Sequence, residues 1–158
     1  MPLSPQEMKQ SRLYLLSAAA LLLGGCIYIC LRPAQPVVFD WVRAAGLGGL
    51  IDRVRFNNLS LDTLLPEWVV YSLPCAFWAF AYAAIITRIW TDSGHRIKYF
   101  WLATIPLLVL GFELLQYPGI IPGTFCTEDL IAGILGSGTG MIIGITHKKQ
   151  IIDENKNH

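Results

Sequence analysis

The sequence predicts an all-α membrane protein with four transmembrane helices and an interfacial or re-entrant helix between the first and the second. Three observations predict this class. Hydrophobic residues make up 54% of the 158 residues and charged residues only 15%, and the mean hydropathy is +0.49, a balance unlike that of ordinary soluble domains. Four apolar runs reach the roughly 17–25 residues needed to cross a hydrocarbon core of about 30 Å. Basic residues collect in the segments that share one side of a four-span chain. The length allows one compact bundle with no separate catalytic domain. A formal net charge of +1 gives no case for nucleic acid as a partner, so membrane lipids are the expected one.

Residues 1–12 form a short polar segment with Lys9 and Arg12. The first span, 13–31, is bounded by Arg12 and by Arg32-Pro33. Its Leu23-Gly24-Gly25-Cys26 stretch also resembles a lipoprotein signal with Cys26 as the lipidated residue. Apolar sequence continues to Leu31, however, as a spanning helix requires and a cleavage region does not. Residues 37–55 read as an amphipathic outer segment: Val38, Trp41, Val42 and Ala45 recur at helical spacing, while Gly46, Gly48 and Gly49 break the pattern midway. Lying in the interface is the favoured reading, with a re-entrant hairpin or a loop packed over the bundle as the alternatives.

The second span covers 68–89 and contains Pro74, the third covers 99–116 and contains Pro106, and the fourth covers 126–146. Transmembrane helices tolerate internal proline better than soluble ones do. Together 13–146 form the membrane domain, and 147–158 is a polar tail beginning His147-Lys148-Lys149. Arg88, Arg96 and Lys98 follow span two, on the same side as Lys9, Arg12, Lys148, Lys149 and Lys156. The other side has Arg32, Arg43, Arg53 and Arg55, offset by Asp40, Asp52, Asp62 and Glu67. By the positive-inside rule both termini are cytoplasmic.

Span four carries Ala132, Gly136, Gly140 and Gly144, a small-xxx-small ladder widened by Gly133 and Ser137. Small residues at this spacing let helix backbones approach closely. Packing within the bundle is the simpler use of that face; a homo-oligomer joined through it is the other. Glu113 and Gln116 sit three apart on one face of span three. Glu128 and Asp129 open span four, where acidic residues are also favoured by the helix dipole. An ionisable group in a span usually faces protein or a water-filled cavity, so these four residues outline a polar notch near the outer membrane face. There is no phosphate-binding glycine loop, zinc-type spacing or Ser/His/Asp set, and the three histidines lie in polar flanks. No cofactor or metal is expected.

The stretch Gly111-Phe112-Glu113-Leu114-Leu115-Gln116, followed by Pro122-Gly123-Thr124-Phe125-Cys126-Thr127-Glu128-Asp129-Leu130 and then Gly136, resembles the signature of VanZ-like small bacterial membrane proteins. Leu65-Pro66-Glu67-Trp68 with Tyr71 to Trp78 is similar to an element of related small bacterial proteins. The resemblance covers spans two to four. It implies a multi-pass protein of the bacterial cytoplasmic membrane, associated with resistance to glycopeptide and related lipid-active antibiotics. In the related pattern aspartates stand where this chain has Cys75 and Cys126, and this paired replacement implies that the two positions are neighbours or a disulfide. Depth argues against the bridge. Cys75 lies about two turns inside its span, on the order of 10 Å at 1.5 Å per residue, whereas bonded Cα atoms lie within about 7 Å.

Three functions are therefore open. The leading one is a non-enzymatic envelope protein that binds a lipid head group or lipid-linked ligand at a notch made by Glu113, Gln116, Asp129, Glu128 and Thr124. The second is an oligomeric channel or membrane-perturbing effector. The third, a lipid-modifying enzyme with Glu113 as base, lacks a nucleophile or metal set beside that residue.

Overall fold

The computed structural model describes residues 5–31, 37–46, 48–49, 52–53, 65–91, 93–121 and 125–156. Among them the chain is all-helical: α1 (Pro5–Leu31), α2 (Val37–Ala44), α3 (Glu67–Tyr71), α4 (Leu73–Trp90), α5 (Ile97–Gln116) and α6 (Thr127–Lys156). Four stretches are long and apolar enough to cross a membrane: Ser11–Leu31, Glu67–Trp90, Ile97–Gln116 and Thr127–Thr146. These limits agree with the apolar runs of the sequence to within two residues, because the runs end at charges and turn residues that hydrocarbon does not accept.

The 37–55 segment is helical but interrupted: beyond α2, residues 48–49 and 52–53 are again helical. Helix α2 ends at Ala44 because Gly46 takes φ +79°, a left-handed conformation that glycine adopts without Cβ strain. The Gly46 N–H closes the end on the Arg43 carbonyl at 2.9 Å. Arg43 then pairs with Asp52 at 3.3 Å, so the chain turns back on itself after the glycine. Among the described residues α2 packs against none of the four long helices.

Helices α3 and α4 form one span with a break at Ser72. The break has a covalent cause: Pro74 has no N–H to offer the carbonyl of Val70, and Ala76 N–H bonds Ser72 at 3.1 Å as the ladder resumes. The span is 39% buried within the bundle against 11% for Ile97–Gln116, which makes α4 the central helix. Its buried Ala79, Ala81, Ala83 and Ala84 leave room for neighbours on several sides. The most extensive interface is with α6, followed by that with α1.

The α4–α6 contact is the small-residue ladder. Gly136 lies over the backbone of Ala76, Gly140 over the carbonyl of Phe80, and Gly144 over the carbonyl of Ala84. A Cβ on Gly144 would stand 2.9 Å from the Ala84 carbonyl oxygen, closer than real Cβ atoms come. Successive partners advance by four on both helices, so α4 and α6 run parallel, as the second and fourth spans of such a chain must. Gly136, Gly140 and Gly144 are thus covered from within the chain. Helix α1 meets α4 at Gly24, which lies under Phe77 and Trp78, with Tyr28 and Trp78 rings 5.4 Å apart.

Helix α5 is held at its first half by aromatic and hydroxyl contacts. Trp90 and Trp101 stack at 5.6 Å, Tyr82 and Thr104 share a hydrogen bond of 2.7 Å, and Ile105 is buried with Ala83 and Ile86. The far end closes through Gly119 (φ +74°). Gly119 N–H bonds the Gln116 carbonyl and Ile120 N–H reaches back to that of Leu115, the paired bonds of a Schellman motif.

Because Gly140 faces backbone while Gly138 has open space, the two positions separate packing from helix propensity. Gly140→Ala should destabilise the bundle by about 1–3 kcal/mol, the usual penalty for overpacking. Gly138→Ala should be neutral or mildly stabilising. Thermal unfolding in detergent micelles reads both, and equal midpoints would contradict the seam.

Candidate functional site

Glu113 is 9% exposed and is the one buried charged residue among the described residues. Its Oε2 accepts the backbone N–H of Cys126 at 3.1 Å. Cys126 precedes α6, and its carbonyl accepts the first helical bond from Leu130 at 3.2 Å, so it stands at the N-cap. In a capping box the N-cap N–H is taken by the acid three residues on, which here is Asp129. Glu113 takes that place from the neighbouring helix. Asp129 is left half-buried, with Oδ1 shut off from solvent and without a hydrogen-bond partner.

Cys126 also explains why this position suits a polar residue. Its sulfur faces the backbone N–H groups of Asp129 and Glu128 as an N-cap acceptor would, and its thiol donates to Glu128 Oε2 at 3.0 Å. That hydrogen bond first, and burial second, push the Cys126 thiol above its usual range, against the opposing effect of the two N–H groups. Cys75 is the third residue of α4, so both cysteines occupy helix N-terminal positions where aspartate is favourable.

The four cysteines are free thiols. A Cβ on Gly133 would lie 3.8 Å from Cys75 Sγ, which sets Cys75 level with a residue seven positions beyond Cys126. That is roughly 10 Å deeper at 1.5 Å per residue, so the geometry does not suit a Cys75–Cys126 disulfide. The two are linked instead through the carboxylates: Cys75 lies within electrostatic reach of Asp129 and Glu113, and Cys126 contacts both Glu113 and Glu128.

The expected notch is therefore only partly assembled. Glu113, Asp129, Cys75 and Cys126 converge behind the start of α6. Gln116 is half-buried and closes the end of α5 through its carbonyl. Thr124 lies outside the described residues. Glu128 lines an opening between α3–α4 and α6, with Cys126 beside it.

That opening follows from the seam. Positions sixty apart face each other at Gly136/Ala76 and Gly140/Phe80, and the same offset pairs Ala132 with Ser72 and Glu128 with Trp68. Both of these pairs line one cleft of about 320 Å³, whose remaining walls are Leu73, Ala76, Ile131 and Leu135. The cleft opens beside the break at Ser72, where α3 gives way to α4. A second cleft of about 350 Å³ continues it outward, lined by Glu67, Trp68, Tyr71, Ser72, Cys126 and Glu128. Together they form a groove with an apolar floor and an acidic, aromatic mouth. Sequence reasoning missed Trp68, Tyr71 and Ser72 as lining residues; the only signal was an aromatic pair at the start of a span, where interface belts lie.

No cluster of three metal-ligating side chains occurs among the described residues. In comparisons with known proteins no family model matches the chain, and no curated protein or solved structure matches it significantly. Fold and groove define a small helical protein with four membrane-spanning candidates and an amphipathic groove at one end of its bundle.

The Cys126 contact gives a test. With its thiol pushed up, less thiolate is present near pH 8, so alkylation there should run slower than in the unfolded chain and accelerate only at higher pH. Glu128→Gln should speed the reaction at pH 8. With Cys126 kept as the single cysteine, intact mass over time reads both, and a rate insensitive to residue 128 would contradict the hydrogen bond.

Proposed function

We propose that this chain is an integral membrane protein that holds an amphiphile, a lipid or lipid-linked molecule, in the groove between α3–α4 and α6. The observation that carries the reading is the lining itself. Leu73, Ala76, Ile131, Ala132 and Leu135 offer a hydrocarbon surface, and Glu67, Tyr71 and Glu128 stand at its mouth. Each cleft lies near the low end of ligand-pocket volumes, roughly 300–1,000 Å³, a size for one chain and its head rather than a bulky cofactor.

The site thereby moves from Glu113 to Glu128. Glu113 serves the groove indirectly, by fixing the N-terminus of α6 from which Glu128 projects. The reading is one of binding, supported by the apolar walls and the acids at the mouth. The distribution of lysine and arginine supports both termini in the cytoplasm and the groove mouth on the outer face. A C-terminal reporter active only outside the cytoplasm would reverse that orientation. The VanZ-like motif extends the reading to the bacterial envelope and to tolerance of glycopeptides, and an unchanged inhibitory concentration after deletion of the chain would remove that link.

Native mass spectrometry of protein extracted from membranes should show one retained amphiphile. Ala132→Phe, which fills the groove floor, should lose it while the unfolding midpoint shifts little. Retention of the same adduct by a folded Ala132→Phe protein would place the ligand elsewhere.

A further inference from the structure

We propose that the groove selects an amphiphile with a cationic, ammonium head on a single alkyl chain. This rests on the amphiphile reading above and adds the head-group chemistry. The mouth carries two carboxylates, Glu67 and Glu128, and no Lys, Arg or His lines either cleft among the described residues. Glu128 sits in the first turn of α6, where the helix end supplies only about half a positive charge, so the carboxylate pair leaves the mouth net negative. One Glu128 oxygen accepts the Cys126 thiol, and a carboxylate has further acceptor sites. The same mouth is lined by Trp68 and Tyr71, aromatic types that attract ammonium groups through their ring faces, with Trp the better of the two. Trp68 lines both clefts, so it can contact the head and the first methylenes of the same molecule. A phosphate or sulfate head would meet two carboxylates with no balancing cation among the described lining residues, and like charges repel more strongly where water screens them less.

The depth of the floor sets the chain. Below the mouth the groove is walled by apolar side chains and closes where Gly136 meets Ala76. One alkyl chain can follow it to that point, and a second would have to leave toward lipid.

The test uses the full-length protein in neutral alkyl-maltoside micelles, titrated with dodecyltrimethylammonium, monododecyl phosphate and dodecanol, with bound adducts counted by native mass spectrometry. The ammonium amphiphile should bind about tenfold more tightly than dodecanol, a difference of about 1.4 kcal/mol, and the phosphate more weakly than either. The Glu67→Gln/Glu128→Gln double variant should bring the ammonium compound to the level of dodecanol. Ala132→Phe should abolish all groove binding, which separates the site from adsorption at the surface. Equal affinities for the three heads, or tighter binding of the phosphate, would overturn the head-group assignment and leave the groove reading standing. If no amphiphile binds, or none responds to Ala132→Phe, both fall.

Discussion

The close approach of α4 and α6 is the constraint on which the rest of the structure depends. Membrane helices gain little from burial against one another, since lipid tails are as apolar as side chains, and must win association through backbone proximity and packing. Here Gly136, Gly140 and Gly144 bring α6 onto the Ala76, Phe80 and Ala84 backbone. That contact fixes direction and register at once. Beyond Gly136 the cleft opens beside the break at Ser72, where α3 gives way to α4. The groove is the open continuation of the seam.

A second constraint ties the weakly packed α5 to that frame. A carboxylate in a span is costly unless it finds donors, and Glu113 finds the N–H of Cys126. The bond satisfies a helix end that would otherwise be left without a partner and holds α5 to the start of α6. Gly133 supports the same junction from below, where a Cβ would stand 2.9 Å from Val109 Cγ1 and 3.8 Å from Cys75 Sγ. Neighbouring acids take different places: Glu113 is buried as the acceptor of the Cys126 N–H, and Glu128 lines the groove.

Much of the architecture was legible in the sequence because hydropathy and turn chemistry act locally. The four spans, the small-residue ladder and the unusual position of Glu113 could all be read from residue type and spacing. The partner of the ladder could not, since small-xxx-small spacing marks a face without saying what covers it. For the same reason the offset that sets Glu128 opposite Trp68 was hidden, and with it the groove. The notch placed Glu113 and Gln116 on one face correctly by helical period, yet backbone hydrogen bonding at Cys126 and in the Gly119 turn decides what that end of α5 does. At Gly46 a single left-handed residue interrupts the amphipathic segment, which is helical again at 48–49 and 52–53.

The account stands or falls on Ala132 and Ser72 facing each other across the groove floor. In a cysteine-free background, Ser72→Cys with Ala132→Cys should cross-link on mild oxidation, whereas Ser72→Cys with Ile134→Cys, on the exposed far face of α6, should not. An amphiphile seated in the groove should slow the first reaction. Comparable rates for the two pairs would contradict the seam and its register. A rate for the first pair that no amphiphile changes would contradict the groove as the binding site.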